Sequence, residues 1–420
     1  MDLNKIPAAV RAGEPTVWIN PRRRPASGVL ASLPLQWSDV AQAVERWRRF
    51  SPLLALLFPE LATAAGRIES PLLPLTSSLA QRVADRPGGV YLKADHLLPL
   101  TGSVKARGGV YEVLWFAEQV AMAAGLPGDY REFAEAAWRA RFAECTLVVG
   151  STGNLGYSVG LMARALGFAA EVHLSSDASA WKKDRLRDLG VDVVEHAADY
   201  TVAVAAARAS AGRRPRCHFV DDETSRHLFL GYAASCIELR TQLLAVGVPV
   251  DTMHPLTVYL PCGVGGAPGG IAFGLKHVFG DAVQCIFVEP VESPCMLVQL
   301  ASGSIESVSV YDAGRSNRTV QDGLACAAAS LLAAAMMREL VSGIVTVTDD
   351  QSLDWVRTAW RDSRLRLEPS AAAALAAVAP SRRSTGRRSS PPGTDLIWTT
   401  GGGRLPDAVF EALLAIDDGG

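Results

Sequence analysis

The sequence predicts an α/β protein of two lobes, each a mostly parallel sheet flanked by helices, and three observations carry that expectation. Residues 146–220 alternate short β-branched runs with helical segments, and a second series of strand, glycine loop, helix and strand follows from residue 257. The chain has 420 residues, 49% hydrophobic and 20% charged, which is enough apolar material for two cores.

In the first series, 146–149, 170–174, 191–195 and 217–220 read as strands, while 155–166, 178–189 and 202–211 repeat apolar residues at helical spacing. In the second, strands at 257–260 and 284–289 enclose a helix at 271–278, and a last strand occupies 396–399. Ahead of both, residues 37–50 carry a helical apolar stripe with Ser38 as N-cap candidate. The expected division is an extension over 1–69 packed on the lobes, a large lobe from 70–111 and 225–420, and a small mobile lobe over 112–224.

A formal net charge of -2 offers no field to attract nucleic acid or an anionic membrane. The arginines at 22–24 and within 381–390 lie among Pro, Gly and Ser, so solvated loops are the better reading than polyanion sites. No secretory signal pattern opens the chain, and the aliphatic stretch from Ala327 to Met337 is too short to cross a bilayer, so a cytoplasmic protein is expected. The seven cysteines show no C-x-x-C pair and the seven histidines no metal-ligand spacing, which predicts reduced thiols and no zinc site.

Four segments carry chemistry. Cys262-Gly-Val-Gly-Gly-Ala-Pro-Gly-Gly270 lies between a strand and a helix, where glycines let backbone N–H groups converge on an anion at the positive helix end. It fits neither the dinucleotide fingerprint nor a nucleotide P-loop, which leaves a smaller phosphate-bearing group or a structural turn. Lys105, among small residues at a loop-to-helix junction, suits attack on an aldehyde if cationic neighbours and burial lower its pKa; a surface lysine is the plainer alternative. Gly150-Ser-Thr-Gly-Asn-Leu-Gly156 offers hydroxyls and free N–H groups to a carboxylate. Thr399-Thr-Gly-Gly-Gly403 ends the last strand with a hydroxyl, then a backbone that a flat ring can approach. An amine, a phosphate cup, a carboxylate cup and a hydroxyl for a ring nitrogen together suit pyridoxal phosphate with an amino acid.

The chain resembles the tryptophan-synthase-β-like (fold type II) pyridoxal-phosphate enzymes, and among them the bacterial D-serine dehydratase (D-serine ammonia-lyase) family. The likeness runs over most of the chain. It is carried by residues 102–114, Ala180-Trp-Lys-Lys183, Asp221-Asp-Glu-Thr-Ser-Arg226, Leu228-Phe-Leu-Gly-Tyr232, residues 261–270, Glu289-Pro290, Ser293-Pro-Cys-Met296, Asp322-Gly323 and Arg366-Leu-Glu-Pro-Ser-Ala371. The later stretches separate this family from threonine dehydratases and cysteine synthases.

The resemblance implies that Lys105 forms the Schiff base with the cofactor and that Gly263, Val264, Gly265, Gly266 and Ala267 bind its phosphate. It implies that Asn154 contacts the 3′-oxygen, that Thr400 hydrogen-bonds the pyridine nitrogen, and that Ser151, Thr152 and Leu155 receive the substrate carboxylate. Asp221 and Asp222 stand where the family has an acidic residue near the substrate, and Glu289 would lie by a potassium-type cation. The large lobe would hold the cofactor and the small one the carboxylate, in a monomer. Ala267 and Ala325-Cys-Ala327 depart from the family's glycines, and the stretch before Asp395 is shorter and arginine-rich. The implied reaction is β-elimination of water from D-serine, giving pyruvate and ammonia, since a neutral Thr400 makes the ring a weaker electron sink than an aspartate partner would. The alternatives are an enzyme of the same scaffold acting on L-serine, threonine or a β-replacement substrate, and a non-catalytic ligand-binding relative.

Overall fold

The computed structural model describes residues 5–85, 89–151, 153–176, 178–197, 200–384 and 393–415. Its strands, in chain order, are β1 (Val17–Ile19), β2 (Leu72–Pro74), β3 (Val90–Ala94), β4 (Thr146–Gly150), β5 (Ala169–Ser175), β6 (Asp192–His196), β7 (Cys217–Val220), β8 (Leu256–Pro261), β9 (Val283–Pro290), β10 (Gly343–Val347) and β11 (Thr394–Thr399). They form two sheets, in the orders β1-β10-β9-β8-β11-β3-β2 and β6-β5-β4-β7.

The second sheet is wholly parallel, and the first is parallel except where β1 and β2 join its edges antiparallel. Strands β8 and β10 are buried at every position, as strands covered by helices on both faces are. Both expected strand-helix series are present, with bounds shifted by a residue or two at most strands. The edge strands β1 and β2, of three residues each, are too short to show a period and were not legible, nor were β3 and β10.

Two helix expectations are corrected. The helix Trp37–Leu57 is capped by Gln36, not Ser38, because the Asp39 carboxylate accepts the Gln36 N–H at 2.7 Å. The helix Gly266–Phe279 starts at the glycines themselves, although glycine disfavours helix. Packing overrides propensity there: a Cβ at Gly270 would lie 2.4 Å from the Phe229 carbonyl oxygen, and one at Gly274 2.3 Å from that of Ala233. The glycine face thus lets this helix press onto the helix Arg226–Ala233.

The N-terminal segment is built into the molecule. Besides β1, Arg22 donates to the Leu300 carbonyl at 2.8 Å, and Arg46 and Arg49 both reach Glu118 at 2.7 Å. Glu118 belongs to the helix Lys105–Met122, so the extension braces the element on which Lys105 stands. The other end of that helix is held by buried charge. Arg107 forks onto Asp95 at 2.7 Å and Glu238 at 2.6 Å, and Trp398 Nε1 donates to Asp95 at 2.8 Å. Removing one member of such a buried set costs about 3–5 kcal/mol, because the partner is left charged and unpaired.

Candidate active site

Parallel α/β sheets present their loops at the carboxyl ends of the strands, and ligands bind there. The loops after β4, β7, β8 and β11 begin at Ser151, Asp221, Cys262 and Thr400, and all four contribute residues to one cavity. Lys105, Ser151, Asn154, Leu155, Asp222, residues 263–267 and Thr400 line it together. Asp221 and Glu289 do not, and Thr152 lies outside the described residues.

Lys105 is the first residue of its helix. The preceding strap is tied to the last-strand loop, with Val104 N–H donating to the Thr400 carbonyl at 2.9 Å and Ser103 bridging Gly401. Lys105 Nζ lies 2.8 Å from Asp222 Oδ2. The expected lowering of the Lys105 pKa is therefore reversed. Burial, the largest single influence, draws its proton affinity down, but the Asp222 carboxylate, with Tyr232 and Cys326 adding to it, holds the ammonium well above the ordinary lysine range.

The glycine cup owes its shape to crowding. Gly265 has φ +106°, and a Cβ there would lie 2.3 Å from Met296 Cε, so only glycine fits. Beside it, a Cβ at Gly266 would stand 3.3 Å from Asp222 Oδ1. That oxygen is buried without a hydrogen-bond partner, a polar position that a bound molecule can complete.

Several predicted groups are engaged differently from expectation. Ser151 Oγ accepts from the N–H groups of Gly153 at 3.2 Å and Gly156 at 2.9 Å, so its hydroxyl shapes the turn that opens the helix Asn154–Leu166. The glycines after Thr400 make room for a carboxyl group: a Cβ at Gly401 would meet Glu368 Oε1 at 2.3 Å. Asp221, unlike Asp222, does not enter the cavity from the turn that follows β7. It accepts from Arg208 at 3.0 Å and Thr224 at 2.8 Å. Glu289 accepts from the Met296 and Leu297 N–H groups at 2.7 and 2.9 Å, and burial pushes its carboxyl up to about 8.

Three charged residues that also line the cavity, Lys182, Asp322 and Glu368, lie in stretches that carry the family resemblance, but sequence reading gave them no role. Glu368 precedes Pro369, the first residue of the helix Pro369–Ser384, and proline at a helix start was the available signal. Its Oε1 accepts from Asn154 Nδ2 at 3.3 Å. Burial pushes its carboxyl up to about 7, with Asp322 adding to the rise and Lys182 opposing it. All seven cysteines are free thiols; Cys326 lines the cavity, and burial pushes its thiol up to about 12, so it is not a thiolate at neutral pH.

A helix-initial lysine that shares a cavity with a glycine-rich strand-to-helix turn, between two largely parallel sheets, suits an enzyme that holds a phosphorylated aldehyde. The chain belongs to the pyridoxal-phosphate dependent enzyme family, whose model matches residues 66–391. It is 49% identical over 423 aligned residues to a protein named "Probable D-serine dehydratase" from Rhizobium etli (strain CIAT 652), covering 96% of this chain and 94% of that one. A Pseudomonas aeruginosa protein of the same name is also 49% identical, over 95% of this chain and 93% of its own. Among solved structures, diaminopropionate ammonia lyase from Escherichia coli in complex with D-serine superposes with TM-score 0.74 at 19% identity, over 96% of this chain and 97% of that one. The processed form of threonine deaminase isoform 2 from Solanum lycopersicum gives 0.63 at 19% identity, over 96% and 98%. These two likenesses establish the fold.

The residues present fit pyridoxal phosphate: an amine, a cup in which a Cβ at Gly265 has no room, and an unpartnered buried oxygen on Asp222 share one cavity. No helix among the described residues is long and apolar enough to cross a membrane.

Proposed function

We propose that this chain is a D-serine dehydratase, which eliminates water from D-serine with release of pyruvate and ammonia. The observation that carries the proposal is the single cavity in which Lys105 and the 263–267 cup meet the 151–155 turn and Thr400, in a chain 49% identical over almost its whole length to proteins of that name.

When bound, pyridoxal phosphate withdraws electrons from the amino acid's Cα, so that the Cα proton and the β-hydroxyl can leave. Lys105 would hold the cofactor, the N–H groups of residues 263–267 its phosphate, Asn154 its 3′-oxygen and Thr400 its ring nitrogen. Asp222 keeps a proton on Lys105 while the amine is free and can take that proton when the amine reacts. Asp221, anchored to Arg208, positions the loop that carries Asp222. The turn of residues 151–155 orients the substrate carboxylate through its backbone, with the Ser151 hydroxyl holding the turn and Leu155 closing it from the apolar side. A potassium-type cation beside Glu289 belongs to the same reading; a higher rate in potassium than in a bulky organic cation at equal ionic strength supports it, and equal rates remove it.

The three parts of the chain divide this work. Residues 1–69 brace the Lys105 helix, residues 70–111 and 225–420 hold the cofactor, and residues 112–224 bring the carboxylate turn. A cytoplasmic monomer acting on a free amino acid completes the proposal, supported by the family likeness and by a net charge of -2 that favours neither nucleic acid nor membrane.

The test is the visible absorption spectrum of the purified protein before and after D-serine, with pyruvate assayed from both serine enantiomers. A visible cofactor band that D-serine perturbs, with pyruvate from the D enantiomer, is the expected result. Pyruvate from L-serine alone would move the chain to another activity on the same scaffold, and absence of the band would remove catalysis.

A further inference from the structure

Lys182 and Asp322 form an ion pair that neither the fold nor cofactor holding explains. Lys182 lies on the helix Ala180–Asp188, beside the smaller sheet, and Asp322 begins the 3-10 helix Asp322–Leu324 in the larger lobe. Their side chains meet across the cavity that both line.

The two ends of the pair differ. The Lys182 side chain is only 16% exposed, whereas that of Asp322 is 55% exposed. A lysine side chain so largely covered is best held with a counter-charge at its end, while a carboxylate so well hydrated contributes little by being paired and is readily given up. The Lys182 stem crosses Gly153, where a Cβ would lie 3.3 Å from its Cδ and 3.5 Å from its Nζ. The ammonium therefore sits beside the turn that opens the helix Asn154–Leu166, whose first N–H groups also favour an anion. Its other charged neighbour is Glu368, across the cavity, which accepts from Asn154 on that same turn.

We propose that Lys182 determines specificity by pairing with the substrate's carboxylate, and that Asp322 is the resting partner which that carboxylate displaces. The exchange swaps one carboxylate for another, so the ammonium keeps a counter-charge, and Asp322 returns to water. The inference deepens the functional reading and rests on residues 151–155 as the carboxylate site.

The test uses the cofactor-loaded protein and the variants Lys182→Met and Asp322→Asn. Binding of D-alanine, which has the carboxylate but no β-hydroxyl, is followed by tryptophan fluorescence, with D-alaninamide as the carboxylate-free control. Lys182→Met is expected to weaken D-alanine binding by about tenfold to a hundredfold, the scale of one charge-assisted contact, while D-alaninamide changes little. Its loss with D-serine should fall on KM more than on kcat. Asp322→Asn removes the competitor and is expected to tighten D-alanine binding. If both substitutions weaken binding alike, or if Lys182→Met affects the amide as much as the acid, the pair is a structural latch and the proposal fails. Pyruvate formation from D-serine by the unaltered protein tests the functional reading separately: were it absent, the contrast between D-alanine and its amide would still decide the role of Lys182.

Discussion

Lys105 Nζ and Asp222 Oδ2 stand 2.8 Å apart, and this carboxylate is the main influence that opposes burial and keeps the proton affinity of the amine high. Desolvation weakens the hold on the proton, and the carboxylate strengthens it. Asp222→Asn should therefore lower the pH midpoint at which the cofactor-free protein takes up pyridoxal phosphate, because the neutral amine then appears at lower pH. Cofactor uptake followed by absorbance across a pH series measures this. An unmoved midpoint would show that Asp222 does not hold the proton, and Lys105→Ala, which removes the amine, should leave no pyruvate formation.

The cup at Gly265 is predicted to reject any side chain. Its φ of +106° is strained for L residues, and Met296 Cε occupies the place of a Cβ. Gly265→Asp adds negative charge at the proposed phosphate site, so cofactor content of the purified protein should collapse with far-UV circular dichroism unchanged. Full cofactor content would put the phosphate site elsewhere.

Glu368 makes stability depend on pH in a stated direction. Its carboxyl rises from an ordinary 4.5 to about 7, chiefly through burial, so between those values the folded state keeps a proton that the unfolded state has lost. Stability then falls as pH rises through that window and levels off above it. Urea unfolding of the cofactor-free protein at about pH 5 and about pH 8 should show this decline, and Glu368→Gln, which cannot ionise, should reduce it, leaving the part that the buried Glu289 carboxyl contributes. An equal decline in the variant would assign it to other groups.

The parts legible in the sequence were those that repeat or punctuate. The strand and helix series of residues 146–220 declared itself through its period, and Lys105, Asn154, the 263–267 run and Thr400 stood out because glycines and small residues cluster at strand ends. Side-chain direction was not legible: Asp221 and Asp222 are adjacent in sequence, yet only Asp222 enters the cavity. Nor was partnership across long separations. Glu368 reaches Asn154 over 214 residues and Lys182 reaches Asp322 over 140, contacts that only tertiary packing creates. The Ser151 hydroxyl looked free for a ligand because nothing in its neighbours reveals that two N–H groups of its own turn already claim it.

The last prediction concerns closure. Asn154 and Lys182, beside the smaller sheet, meet Glu368 and Asp322 of the larger lobe directly across the cavity, so a ligand that bonds the 151–155 turn changes contacts on both sides. Closing one lobe on the other would exclude water and complete the site only when an amino acid is present. Tyr111, at the border expected from sequence, is 1% exposed and lies inside the unbroken helix Lys105–Met122, with Arg46 bonded to its hydroxyl. A bend there would break packed helix, so movement should be absorbed after residue 122 and around residues 221–224, where the chain passes between the sheets. Hydrogen exchange of the loaded protein with and without D-alanine tests this: protection is expected at residues 150–156 and at both crossings, with residues 105–122 unchanged. Protection confined to residues 263–270 would mean that the lobes stay fixed.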